Sequence, residues 1–154
     1  MSEVIDIRYE QLSLVNVSCK NWLLNSTNVK NRTNTVIQNK EQLINLKDVI
    51  KQKCYDKKPV PNVIHYVWLG LKKKEMKFYQ FLSVYSCHKY LHPCLILFHG
   101  ETLPYGRYWD LLQTVVPNII HVKISSPTNI EGIQLKHIEH KADIVRLWWY
   151  IYGY

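Results

Sequence analysis

The chain has 154 residues, of which 47% are hydrophobic and 12% are aromatic. This length and composition are typical of one globular domain with a buried core, and they exclude a disordered protein. The formal net charge is +8, which supports a basic nucleic-acid-binding protein as an alternative. However, the most compact basic run is only Lys72-Lys73-Lys74. Such a run is more typical of a solvated turn, so we expect no nucleic-acid partner.

Residues 1–58 are polar and weakly patterned, and we interpret them as a stem-like N-terminal segment. Apolar residues at helical spacing predict one helix within it, from Glu41 to Lys53. The stretch from Asn16 to Asn39 is predicted to be loop or stem, and it holds glycosylation sequons at Asn16, Asn25 and Asn31. The charged start lacks the apolar core of a signal peptide, and no run reaches the length of a membrane span.

From residue 59 onward, apolar runs alternate with amphipathic stretches. The apolar runs predict three strands, at Val63–Leu69, Cys94–His99 and Ile119–Ile124. The amphipathic stretches predict three helices, at 75–90, 108–116 and 137–152. The first strand ends before Gly70 and is rich in β-branched and aromatic residues, which is typical of a strand buried on both faces. The alternation predicts an α/β fold with a mainly parallel sheet.

The four cysteines are Cys19, Cys54, Cys87 and Cys94, and their wide spacing does not indicate a disulfide-dense scaffold. Cys87 and Cys94 lie near two histidines, His88 and His92, which raises the alternative of a zinc site. Their spacing matches no common structural zinc pattern. We therefore expect ordinary buried thiols.

Ligands of parallel α/β sheets bind at the carboxyl ends of the strands. This rule selects three segments: Val67–Gly70, His99–Glu101 and the loop after Ile124. None of them contains a glycine-rich fingerprint for dinucleotides or nucleoside triphosphates. We therefore expect a ligand whose phosphates are not held by a glycine-rich loop.

Two places carry side chains suited to ligand binding. Trp68, at the end of a strand predicted to be central, offers a flat face to a base, although a lone tryptophan there is more often a core residue. His65, on the same strand, is predicted to be a core histidine. In the last helix a polar stripe between two apolar faces either meets solvent or lines a cleft. Its members are Glu139, Asp143, Arg146 and Tyr150.

Two motifs resemble a known family, the sugar-nucleotide glycosyltransferases of the DXD class. The first, Pro61–Gly70, is similar to the opening strand of that family, in which Pro, Ile-His, Trp and Gly recur at these positions. The second, Ala142–Arg146 followed by Tyr152-Gly153, resembles the family's Ser-Asp or Ala-Asp, two apolar residues and Arg. Within that class, the chain is similar to the group of alpha-1,4-glycosyltransferases and related mannosyltransferases. Since Arg107–Asp110 and Ile133–His140 are also similar, the resemblance covers about residues 59–153.

The resemblance implies that residues 59–154 are the nucleotide-binding part of an incomplete, Rossmann-like domain of the glycosyltransferase A (GT-A) type, cut before the DXD motif. It implies that Val67 and Trp68 line the base pocket of a nucleotide-sugar-binding site. It also implies that Asp143 and Arg146 contact the donor sugar. No residue of the chain is assigned to catalysis or to a metal.

The implied parent reaction transfers a sugar from a nucleotide sugar, a UDP-sugar by preference, to a hydroxyl of a glycan, glycolipid or glycoprotein. The family uses a divalent cation, Mn or Mg, whose DXD ligands this chain lacks, so we expect the chain to be inactive alone. The resemblance also implies the Golgi or secretory-pathway lumen, with membrane attachment only through an anchor outside this chain. The alternative is a non-catalytic nucleotide-sugar-binding module or a degenerate paralogue.

Overall fold

The computed structural model describes residues 6–7, 35–70 and 72–152, in which helices alternate with mainly parallel strands. The helices of these ranges are α1 (Lys40–Lys53), α2 (Phe78–Ser86), α3 (Arg107–Val115) and α4 (Ile138–Tyr152). The strands are β1 (Asp6–Ile7), β2 (Thr35–Ile37), β3 (Val63–Val67), β4 (Cys94–His99), β5 (Ile119–Val122), β6 (Asn129–Ile130) and β7 (Ile133–Gln134). The predicted α/β class is confirmed.

The main sheet places β3, β4, β5 and β2 side by side in that order, all parallel to one another. Strand β1 pairs antiparallel with the start of β4. All six residues of β4 are buried, because β3 and β5 pair with its two edges and side chains cover its faces. The predicted mainly parallel sheet is therefore confirmed.

Strand β3 does not have the central, fully buried position that the sequence predicts. It pairs with β4 from Val63 opposite Leu95 to Val67 opposite His99. Among the described strands only β4 pairs with it, and each of its five residues is half-buried. The prediction is wrong because an apolar run shows which side chains can be buried, whereas their actual burial depends on which elements pack on the strand.

The N-terminal segment contributes to the same core as the rest of the chain. Helix α1 matches its prediction, with the Asn39 side chain accepting a 2.9 Å hydrogen bond from the Gln42 N–H at its start. Its Leu46 and Ile50 are completely buried. The prediction of loop or stem through Asn39 is wrong for β2, which pairs with Ile120–Val122 of β5. The three sequons lie outside the described residues.

The helix predicted for 75–90 is shorter and changes its winding. Helix α2 is followed directly by a π-helical turn, Cys87–Leu91, which ends at His92 in the left-handed region with a φ of 42°. Glu75 lies outside the helix and forms a short parallel bridge with Tyr105. This bridge fixes the connection between β3 and α2 to the loop before α3.

The remaining predicted elements agree with the structure to within two residues. Helix α3 ends before Pro117, β5 ends at Val122, and α4 starts at Ile138. One hairpin is not predicted from the sequence: β6 and β7 pair antiparallel across Glu131-Gly132, both at positive φ. None of the described helices combines the length and apolar composition that crossing a membrane requires.

A disulfide joins Cys54 at the end of α1 to Cys94 at the start of β4, with their Cα atoms 5.3 Å apart. The expectation of ordinary thiols is therefore wrong for these two residues, because spacing alone does not show that they meet. Cys87 is a half-buried free thiol, and Cys19 lies outside the described residues. Within 35–70 and 72–152, no three His, Cys, Asp or Glu side chains come together in a group suited to a metal ion.

Candidate functional site

A cavity of about 350 Å³ lies at the carboxyl end of β3, where ligands bind in parallel α/β sheets. Three parts of the chain line it: the end of β3, the connection to α2 with the first turn of that helix, and the first half of α4. Its lining residues are Val67, Trp68, Leu69, Lys74, Gln80, Ile138, Glu139, Ala142, Asp143 and Arg146.

The structure brings all four sequence-predicted site residues to this one cavity. Val67 and Trp68 line it from the end of β3, and Asp143 and Arg146 line it from α4. The two motifs are far apart in the sequence, and helix α4 joins them by packing across β3. The buried side chain of Val145 makes this contact, since it packs together with Leu69.

Trp68 lies partly in the core and partly at the cavity, which are the two environments that the sequence leaves open. Its backbone N–H donates a 3.0 Å hydrogen bond to the carbonyl of His99, which extends the pairing with β4 by one residue. Its ring lies edge-on to Phe98, with ring centres 6.3 Å apart, so one part of the indole belongs to the core. Another part lines the cavity. The core packing therefore holds the indole in place at the cavity.

The polar stripe of α4 lies along the cavity and stays exposed to solvent, so both alternatives left open by the helical pattern apply. Glu139, Asp143 and Arg146 all line it, while the side chain of Tyr150 is outside the described structure. The side of α4 that carries Val145 and Trp149 packs on the sheet. A helix packed this way holds its carboxylates and guanidinium at the edge of the site.

Asp143 and Arg146 form an exposed ion pair in which Arg146 Nη1 lies 2.6 Å from Asp143 Oδ1. Their side chains remain 69% and 59% exposed, so solvent screens the pair and its contribution to folding is small. The carboxylate keeps a second acceptor oxygen, and the guanidinium keeps further N–H donors. The pair therefore offers both acceptors and donors to a polar ligand.

Two cavity residues were missed by the sequence analysis, Lys74 and Gln80. Lys74 belongs to the lysine run that we expected to be a solvated turn. Gln80 lies in the first turn of α2, where its Oε1 accepts a 2.8 Å hydrogen bond from the Lys77 N–H. The strand-end rule could have found Lys74, because it follows Gly70 closely, whereas nothing in the sequence singles out Gln80.

The other two strand-end segments do not line the cavity. The Glu101 carboxylate accepts a 3.0 Å hydrogen bond from the Ser126 N–H, and the Gly100 carbonyl accepts one from the Ile124 N–H. His121 lies 2.8 Å from the same Gly100 carbonyl through its ring Nε2. These contacts join the ends of β4 and β5, so these segments have a structural role here.

A cluster of histidines and tryptophan lies between the sheet and α4. The rings of His65 and His99 are stacked with centres 5.3 Å apart, and the Trp149 ring lies 4.4 Å from that of His99. Complete burial lowers the pKa of His99 well below its ordinary value, and the neighbouring His65 lowers it further. His65, which the sequence predicts to be a core histidine, is half-buried in this cluster.

Comparison with known proteins gives one partial similarity. No family model matches the chain, and no solved structure matches it at a significant level. Over 95 residues the chain is 40% identical to Glucan organizing enzyme 1 of Cryptococcus neoformans var. grubii serotype A. The alignment covers 57% of this chain, and the chain spans only 25% of the length of that protein.

Proposed function

We propose that this chain carries the nucleotide-sugar-binding part of a GT-A glycosyltransferase of the DXD class, which transfers a sugar from a UDP-sugar to an acceptor hydroxyl. One observation carries the proposal: the two separate motifs that resemble this family meet at one cavity. Val67 and Trp68 come from one motif, and Asp143 and Arg146 come from the other. Coincidence does not readily explain why both motifs face the same space.

The chemistry of the cavity suits a nucleotide sugar. Its volume of about 350 Å³ lies within the usual range of small-molecule sites, about 300–1,000 Å³. The Trp68 indole and Val67 provide an apolar surface for a base. The carboxylates of Glu139 and Asp143 accept hydrogen bonds from sugar hydroxyls, and Arg146 donates to hydroxyl or phosphate oxygens.

The divalent cation of this class belongs to the proposal for the whole enzyme. The described residues do not fit such an ion, because they bring no group of three candidate side-chain ligands together. Asp143, the carboxylate common to the motif and the cavity, is already paired with Arg146. We therefore assign these residues to binding the nucleotide sugar and derive no step that runs through a metal.

Two further observations support the proposal. The name of the similar protein, Glucan organizing enzyme 1, describes an enzyme connected with a polysaccharide, which agrees with a glycan acceptor. The disulfide between Cys54 and Cys94 agrees with an oxidising compartment such as the secretory-pathway lumen, where we place the protein. A non-catalytic module that only binds the nucleotide sugar would use the same cavity.

Calorimetric titration of UDP into the purified chain tests the proposal. We expect saturable binding at one site, and Trp68→Leu should weaken it at least about tenfold, because stacking of a base on an aromatic ring contributes about 1–3 kcal/mol. Trp148→Leu is the matched control, since Trp148 is 39% exposed and does not line the cavity. Absence of UDP binding, or equal affinity of the wild type and Trp68→Leu, would contradict the proposal.

A further inference from the structure

We propose that Lys74, together with Gln80, forms the subsite that holds the phosphate groups of the bound nucleotide. This inference rests on the proposed function and assigns a cation to a part of the cavity that neither family-like motif covers. Both residues line the cavity, and both come from the connection between β3 and α2 or the first turn of α2.

The backbone of Lys74 is fixed, unlike that of a lysine in a solvated turn. Its carbonyl accepts a 3.2 Å hydrogen bond from the Tyr105 N–H, and the Tyr105 carbonyl accepts one of 3.0 Å from the Met76 N–H. Met76 is 1% exposed and anchors this connection in the core. The starting point of the Lys74 side chain is therefore set by the fold.

The Lys74 side chain lies against the glycine that ends the β3 motif. A Cβ atom added to Gly70 would lie 3.2 Å from Lys74 Cε and 3.5 Å from Lys74 Nζ. Gly70 also has a φ of 143°, which favours glycine. The missing side chain at Gly70 leaves room for the Lys74 side chain at the cavity that Trp68 also lines.

The ammonium of Lys74 is the cationic group of the cavity that has no carboxylate partner among the described residues. Arg146 is paired with Asp143, and Glu75, which follows Lys74 in the sequence, is paired with Lys77 at 2.6 Å. In the part of the chain that the structure describes, no salt bridge involves Lys74. A lysine without a carboxylate partner forms strong, charge-assisted hydrogen bonds with phosphate oxygens.

Gln80 provides a neutral donor in the same part of the cavity. Because its Oε1 accepts the Lys77 N–H, its Nε2 is left with two N–H donors. By contrast, the α4 part of the cavity carries two carboxylates, Glu139 and Asp143, and one guanidinium, Arg146, so its net charge is negative and favours sugar hydroxyls over phosphate. The distribution of charge therefore directs the phosphates to Lys74 and Gln80, and the sugar to α4.

Titrations of UDP, uridine and inorganic pyrophosphate into the full chain test the subsite. We expect Lys74→Gln to weaken UDP binding about tenfold and to leave uridine binding within about twofold, because only UDP carries the phosphates. Lys73→Gln is the matched control, since Lys73 is exposed in the same run and does not line the cavity. UDP affinity of the wild type should fall as salt rises, and more steeply than that of Lys74→Gln.

The arms of this experiment separate failure of the subsite from failure of the proposed function. Equal UDP affinity of the wild type and Lys74→Gln, or an equal loss of uridine and UDP binding, overturns the subsite. Pyrophosphate binding that depends on Lys74, without any binding of uridine or UDP, supports the subsite and overturns the proposed function. If neither UDP, uridine nor pyrophosphate binds, both the subsite and the proposed function are overturned. Since Lys74 is exposed, Lys74→Gln should unfold at the wild-type temperature, which confirms that losses are not due to misfolding.

Discussion

The two faces of the sheet at β3 and β4 are covered by different kinds of side chain. On one, which we call the aromatic face, Tyr66 stacks on Phe98 with ring centres 6.0 Å apart, and Trp109 of α3 lies edge-on to Phe98 at 4.9 Å. On the other, the histidine face, His65 and His99 lie against Trp149 of α4. The aromatic face buries apolar area, whereas the helix on the histidine face carries the polar side of the cavity. We infer that stability depends mainly on the first face and ligand selectivity mainly on the second.

The largest expected effect on stability comes from the aromatic face. Trp109 is 4% exposed, so Trp109→Ala should lower the free energy of unfolding by about 3–5 kcal/mol through loss of packing and the cavity left behind. Trp148→Ala, on the exposed side of α4, should lower it by about 1 kcal/mol or less. Urea unfolding followed by circular dichroism measures both. Equal losses in the two variants would contradict the inference that stability depends mainly on the aromatic face.

The disulfide should rank next, and its effect should not reach the cavity. Cys54 and Cys94 are separated by 40 positions. In the chain-entropy model, removing a cross-link that closes a loop of this length lowers the free energy of unfolding by about 4 kcal/mol. The double variant Cys54→Ala/Cys94→Ala should therefore unfold at a lower temperature than the wild type. At a temperature where the variant is still folded, its affinity for UDP should equal that of the wild type. Cys87→Ala is the control, because Cys87 is a free thiol. The same melting temperature with and without dithiothreitol would show that the bond does not contribute.

Two buried histidines should make stability depend on pH, His99 on the histidine face and His121 on β5. Burial lowers the pKa of His99 and, less strongly, that of His121, so both stay neutral in the folded chain at a pH where the unfolded chain takes up protons. The contribution of these two histidines to stability is therefore constant above about pH 6.5 and falls below it, by at most about 1.4 kcal/mol per pH unit for each histidine. Unfolding free energies measured between pH 7.5 and 5.5 test the sign.

A variant separates the contribution of His99 from that of His121. His99→Phe should make the fall below pH 6.5 shallower, because one of the two proton-binding groups is removed. His140→Gln is the control, since His140 is exposed on α4. If His99→Phe has the wild-type pH dependence, the buried position of His99 does not produce it.

The smallest expected effect on stability lies at the cavity. Asp143→Asn removes an exposed ion pair and should change the free energy of unfolding by less than about 1 kcal/mol. It should nevertheless weaken UDP-glucose binding about tenfold relative to UDP, because a carboxylate binds hydroxyls more strongly than an amide does. Asp110→Asn in α3 is the matched control, an exposed acid away from the cavity. Equal weakening of UDP and UDP-glucose would place Asp143 away from the sugar.

Most of the fold follows from local sequence patterns. The β-branched and aromatic runs predict β3, β4 and β5, and helical spacing predicts α1, α3 and α4. Elements that depend on distant partners were missed. Strand β2 is only three residues long and is stabilised by pairing with β5, far along the chain. The position of β3, which pairs with β4 alone among the described strands, and the bond between Cys54 and Cys94 likewise depend on tertiary contacts that spacing does not report.

The candidate site was predicted in part. The resemblance named Val67, Trp68, Asp143 and Arg146, and the structure places them at one cavity. Lys74 was missed because a run of lysines in a loop is normally solvated, and its position depends on two backbone hydrogen bonds with Tyr105 and on the space left by Gly70. Local sequence patterns do not report such contacts between loops that are distant in the sequence.

Hydrogen–deuterium exchange with and without UDP-glucose tests most directly whether the two motifs form one nucleotide-sugar site. Binding should slow exchange both at the end of β3, around Val67–Gly70, and in the first half of α4, around Ile138–Arg146. Helix α3 on the aromatic face should be unaffected and serves as the internal control. Protection of both segments at the same ligand concentration is the predicted result. Protection of only one of them, or of neither, would contradict the account.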